Sequence, residues 1–136
     1  MADYKLIVTG CWKAMEERNY ARLAEFVHPD CVFVMNGQQY VGLDAFTPVL
    51  DGWMTAFPNI AHAMTNCVIQ GESLACEVKV TGRHTGTMRT PNGDIPATHR
   101  DVAIGAADFV TFAGNKAKRW HIYFDQVALL TQLGLK

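Results

Sequence analysis

Three residues able to hold or move a proton fall at alternate positions in Arg119-Trp120-His121-Ile122-Tyr123-Phe124-Asp125-Gln126. Side chains alternate across a strand, so His121, Tyr123 and Asp125 share one face and Trp120, Ile122 and Phe124 the other. An imidazole, a phenol and a carboxylate in a row, backed by a wholly apolar face, can support acid/base chemistry in a pocket. Asp125 is the candidate base and acid. A free Asp titrates near pH ~3.9 and is a weak base, but an apolar cavity makes a carboxylate more basic. Asp125 also directly precedes Gln126-Val127-Ala128, where Asp is a favoured helix N-cap, and a capped carboxylate is a poorer base. His121 is a candidate donor to a substrate oxygen, or a partner tuning Asp125, or a half-exposed strand histidine. Tyr123 can give its hydroxyl to an enolate, or serve as a core aromatic with a wet tip.

Other polar residues stand in suggestive places. Asp108 interrupts the apolar run around Ala106-Ala107 and Phe109-Val110. A charge in such a strand needs a partner or a cavity, so Asp108 is a second candidate carboxylate, or half of an interface salt bridge. His84, in Arg83-His84-Thr85-Gly86, is expected either at a cavity mouth or bonded to the backbone of the next loop. Asn36 could reach a substrate carbonyl, although the Asn36-Gly37 turn explains it without a ligand. Trp53 belongs to an aromatic and Met-rich set that is mostly core but must partly line any pocket.

The elements that would position these groups are legible from periodicity. Residues 4–18 suit a helix, and a shorter one ends at His28-Pro29, because a residue before proline avoids helical geometry. Cys31–Met35 and Gln38–Val41 read as a hairpin about Asn36-Gly37. Asp44 is expected to cap a third helix carrying Phe46, Leu50, Trp53, Met54 and Phe57 on one stripe, with Pro48 in or near its first turn. Strands are then expected over 60–69, 73–85, 98–112 and 116–125, with a loop over 86–97, a turn at Gln70-Gly71-Glu72 and a last helix ending at Gly134. Helices first and a long antiparallel meander after them imply an α+β fold. A coiled sheet closing on the helices would enclose a conical, mostly apolar cavity.

Composition limits the alternatives. The 136 residues are 49% apolar and 18% charged, with a net charge of -1. That fits a single domain over residues 1–136 with a substantial core, and neither nucleic acid nor membrane is an expected partner. The start of the chain does not read as a secretory signal, and cytoplasmic residence is expected. Cys11, Cys31, Cys67 and Cys76 lack the close pairing of a metal site and read as buried free thiols in a reducing compartment.

Three strings carry a resemblance: Ala56-Phe57-Pro58-Asn59, Gly82-Arg83-His84-Thr85-Gly86, and Tyr123-Phe124-Asp125-Gln126 leading into Leu129-Leu130-Thr131-Gln132-Leu133-Gly134. With the order of elements, they resemble the SnoaL-like polyketide cyclase family of the ketosteroid-isomerase-like fold. The resemblance implies a curved antiparallel sheet wrapped around three N-terminal helices, a homodimer, and no metal or cofactor. It implies an aldol ring closure on a hydrophobic small molecule bearing carbonyls, with Asp125 matching the family's acid/base aspartate. The family often has tryptophan where His121 stands, whereas here the tryptophan is Trp120, so the two faces of the strand compete for the cavity. Related epoxide hydrolases need an Arg and two Asp, but Lys79-Val80-Thr81 and Ile122 occupy those places. Isomerases, dehydratases and non-catalytic binding modules share the fold, which alone does not choose among them.

Overall fold

The computed structural model describes residues 3–135. Helix α1 (Tyr4–Glu16) begins at Asp3, whose side chain accepts from the Leu6 amide, and buries Ile7, Val8, Cys11, Trp12, Ala14 and Met15. It stops short of Arg18, which takes a positive φ of 55°. Helix α2 (Tyr20–Phe26) is capped by Asn19 and leads straight into strand β1 (Val27–Met35). The strand therefore starts four residues before the expected Cys31. Pro29 is tolerated because pairing to the neighbouring strand skips from Val27 to Val32, so its missing N–H breaks no ladder bond.

Asn36 and Gly37 have φ of 46° and 89°, the geometry of a tight hairpin turn, and β2 (Gln38–Val41) returns as expected. Helix α3 (Leu43–Ala56) buries Phe46, Leu50 and Met54. Two expectations about it fail. Gly42 is the N-cap residue, with Asp44 in the first turn and making no cap, and Pro48 lies one turn further in.

The remaining strands are β3 (Ala61–Gln70), β4 (Ser73–Arg83), β7 (Asp101–Ala113) and β8 (Lys116–Phe124), followed by α4 (Gln126–Gln132). The expected loop over 86–97 holds a small separate hairpin, β5 (Met88–Thr90) with β6 (Gly93–Ile95). The main sheet is curved and unclosed, ordered β2-β1-β8-β7-β4-β3. It is mixed, because β8 pairs antiparallel with β7 but parallel with β1. Only short hairpins force antiparallel pairing, and β1 and β8 are joined by most of the chain. Among the described residues, no helix is long and apolar enough to cross a membrane.

The three sequence strings turn out to be joints. The Asn59 side chain accepts from the Arg83 amide at 2.8 Å, the Thr85 and Gly86 amides donate to the Ala56 carbonyl, and Phe57 packs on the His84 ring. Gly86 has no alternative there, since a Cβ would sit 1.8 Å from the Thr55 carbonyl oxygen. The Gln132 amide pairs with both backbone groups of Ala103, fastening α4 to β7.

Candidate active site

A cavity of about 110 Å³ lies between the helices and the inner face of the sheet. Trp12 and Met15 of α1, Leu50 and Trp53 of α3, and Val78, Ile104 and Ala106 of the sheet are among its walls. From β8 the wall consists of Trp120, Ile122 and Phe124. The face expected to carry chemistry therefore points the other way. His121 accepts from the Arg119 Nε at 2.8 Å and lies 3.4 Å from the Tyr123 hydroxyl. Tyr123 is 47% exposed. Asp125 is exposed and caps α4, accepting from the Ala128 amide at 2.9 Å. Burying each large apolar side chain stabilises by roughly 1.5–3 kcal/mol, whereas a buried polar trio would each need partners that apolar helix stripes cannot offer. Of the two readings of Asp125, the cap is the one its contacts fit.

Asp108 is the carboxylate that faces the cavity. It is 4% exposed, on the inner side of β7 between Cys76 and Ile122 on the flanking strands. One carboxyl oxygen accepts from the Trp120 indole N–H at 2.9 Å. Burial pushes its pKa from 3.8 up to about 6, outweighing Trp120, the nearby His62 and Trp12, all of which favour the charged form. Near neutrality it is mostly ionised, yet more basic than a solvated Asp by roughly two orders of magnitude. That suits a group that takes a proton from carbon and returns it to oxygen.

The other sequence candidates divide. Trp53 lines the cavity and meets Phe124 edge to face, with ring centroids 5.3 Å apart. His84 is fully buried away from it; Nδ1 accepts from the Thr98 amide at 3.1 Å, tying down the next loop. Burial, then the neighbouring His99 charge, lowers the His84 pKa. Asn36 does not face a ligand either. Its amide donates to the Phe124 carbonyl at 3.2 Å and accepts from the Phe124 N–H at 3.0 Å, clamping the end of β8.

His62 of β3 was not a sequence candidate, yet it lines the cavity. Glu16, at the end of α1, accepts from both its backbone N–H at 2.9 Å and its Nδ1 at 2.8 Å. The ring stacks on Trp12 at 5.5 Å. The available signal was a lone His among Ala61, Ala63 and Met64 on a half-apolar strand; its partner lies 46 residues earlier. Asp108, His62 and the Cys11 thiol are the ionisable side chains among the described lining residues. Burial, with Cys31 close by, raises the Cys11 pKa well above the usual thiol range, leaving the carboxyl and imidazole as the proton-handling pair.

Known structures share this architecture. IdmH of Streptomyces antibioticus, a candidate polyketide cyclase, is 18% identical with a TM-score of 0.82, covering 96% of this chain and 97% of that one. TsrD of Streptomyces laurentii is 18% identical at a TM-score of 0.83, covering 98% and 96%. AclR of Streptomyces galilaeus, a candidate hydroxylase, is 17% identical at 0.81, covering 97% and 85%. No curated protein gives a significant sequence match. Identities this low establish the fold alone, but the family model for SnoaL-like polyketide cyclases matches residues 5–133. On that match over nearly its whole length, this chain belongs to the SnoaL-like polyketide cyclase family.

Proposed function

We propose that the protein is a cofactor-free acid/base enzyme acting on a hydrophobic, carbonyl-bearing small molecule, most concretely an aldol-type cyclase, with Asp108 as the proton carrier. The observation that carries this reading is a buried carboxylate in an otherwise greasy hollow, held by one indole N–H and made basic by its surroundings. Asp108 removes a proton α to a carbonyl, the enolate carbon attacks a second carbonyl, and the Asp108 carboxylic acid returns the proton to the new alkoxide. Polyketide-type substrates suit so mild a base, because a proton between two carbonyls is already acidic. A space of about 110 Å³ accommodates roughly one ring, so the closing end of the substrate enters and the rest stays outside. We also propose that two copies pair through the outer sheet face. There Phe109 and Tyr123, 49% and 47% exposed, pack edge to face on an unpartnered surface.

The test needs no knowledge of the natural substrate. 2-Tetralone is a compact apolar ketone whose α-protons exchange with deuterium when a base removes them. The wild-type protein should speed this exchange, followed by proton NMR, and Asp108→Asn should lose about 100-fold or more of the acceleration. Exchange by Asp108→Asn at the wild-type rate would remove Asp108 from the role.

A further inference from the structure

Glu16 and His62 form a second proton-handling unit in the same hollow. The Glu16 carboxylate accepts from the His62 backbone N–H at 2.9 Å and from Nδ1 at 2.8 Å, fixing both the position and the orientation of the ring. Trp12, stacked 13° from parallel, holds the ring plane. Nδ1 is thereby occupied, and Nε2 makes no hydrogen bond among the described residues. It is also not sealed from all space, since the buried unpartnered side-chain nitrogen among them is that of His84. His62 lines the cavity that Asp108 faces, and its charge is felt at the Asp108 carboxyl. A carboxylate orienting an imidazole through Nδ1, and balancing the charge when the ring is protonated, makes the other nitrogen a group that can carry and release a proton.

We infer that His62, positioned by Glu16, is a proton donor in the same cavity as Asp108, and that the pair removes water from a β-hydroxy ketone such as the aldol that ring closure leaves. The inference rests on Asp108 being the base proposed above. In this step the Asp108 carboxylate takes the α-proton, and the C–H electron pair becomes the new C=C bond. The C–O bond at the β-carbon breaks, and its oxygen takes the proton from Nε2 of the imidazolium and leaves as water. The β-hydroxy ketone becomes an enone with no change in net oxidation state. Asp108 ends protonated and His62 neutral, and solvent returns the proton from one to the other. His62 touches the substrate in this scheme, whereas Glu16 acts through it as a positioning residue.

The probe is 4-hydroxy-4-phenylbutan-2-one, whose dehydration gives a conjugated enone with strong ultraviolet absorbance. The wild-type protein should form the enone. His62→Gln should lose at least about 100-fold of that rate but far less of 2-tetralone exchange, because exchange breaks no C–O bond and needs no proton delivered to a leaving oxygen. Glu16→Gln should lose about 10-fold or more of dehydration, again with a smaller loss of exchange. Added imidazole should restore dehydration to His62→Ala, a rescue that a purely structural histidine would not permit. Exchange without enone formation in the wild type overturns the dehydration step and leaves the base assignment standing. Equal dehydration by His62→Gln and the wild type overturns the role of the dyad. Absence of both activities in the wild type overturns the base assignment and the dehydration step with it.

Discussion

Asp108→Asn should make the protein more stable at neutral pH while disabling it. The unfolded chain loses the Asp108 proton near the ordinary 3.8, whereas the folded chain holds it up to about 6. Between those values the folded state binds more protons, so this group's contribution to stability falls as pH rises through the window and is level above it. The gap amounts to about 3 kcal/mol of lost stability at neutral pH, the cost of keeping a charge in an apolar hollow. Asparagine removes the charge and can still accept from the Trp120 indole. Every other titrating group is common to both proteins, so the difference between them isolates Asp108. Urea unfolding of both from about pH 4 to about pH 8 should show Asn gaining about 2–3 kcal/mol on the wild type across that range, on the order of 10 °C in Tm. If the two stability curves run parallel in pH, the carboxyl is not held in a desolvated site and the acid/base reading loses its physical basis.

Asp125→Ala should cost about 1 kcal/mol through the lost α4 cap, seen in urea unfolding, with 2-tetralone exchange unchanged. Gly86→Ala should destabilise by more than about 3 kcal/mol or leave the protein insoluble, because the added methyl would overlap the Thr55 carbonyl; soluble yield and Tm report it. If copies pair through the outer sheet face, Phe109→Asp should shift sedimentation velocity toward monomer while a substitution at exposed Leu6, on α1, should not.

Much of the fold was legible because long amphipathic and alternating runs leave little choice. Asn36-Gly37 set a hairpin, the α3 stripe set a helix with a buried face, and Asp125 at the start of α4 was a recognisable cap. The parallel pairing of β1 with β8 was not legible, because no local turn encodes it. The site was half legible. Asp108 stood out as a charge in an apolar strand, and it is among the residues that line the cavity. His121, Tyr123 and Asp125 misled because alternation separates two faces without saying which is inside. An apolar hollow is walled by the apolar face, and of the strand carboxylates it is Asp108 that faces it. The Glu16–His62 pair joins the end of a helix to a distant strand, and each residue alone looks ordinary. The strings that carry the family resemblance hold strand ends, a loop and a helix together, so they report the scaffold more than the reaction.

Strand β8 occupies the middle of the sheet although it is the last strand in sequence, wedged between β1 and β7. A ribosome making this chain from its first residue would release helices and five of the six main-sheet strands, with a gap where Trp120, Ile122 and Phe124 belong. The partially made protein would show a raw β1 edge and an unwalled greasy interior. Closure would come in one late, long-range step, which is slow because the ends to be joined are far apart along the chain. Until then the molecule would be sticky, so conditions that stall synthesis between β7 and β8 should favour clumping over function.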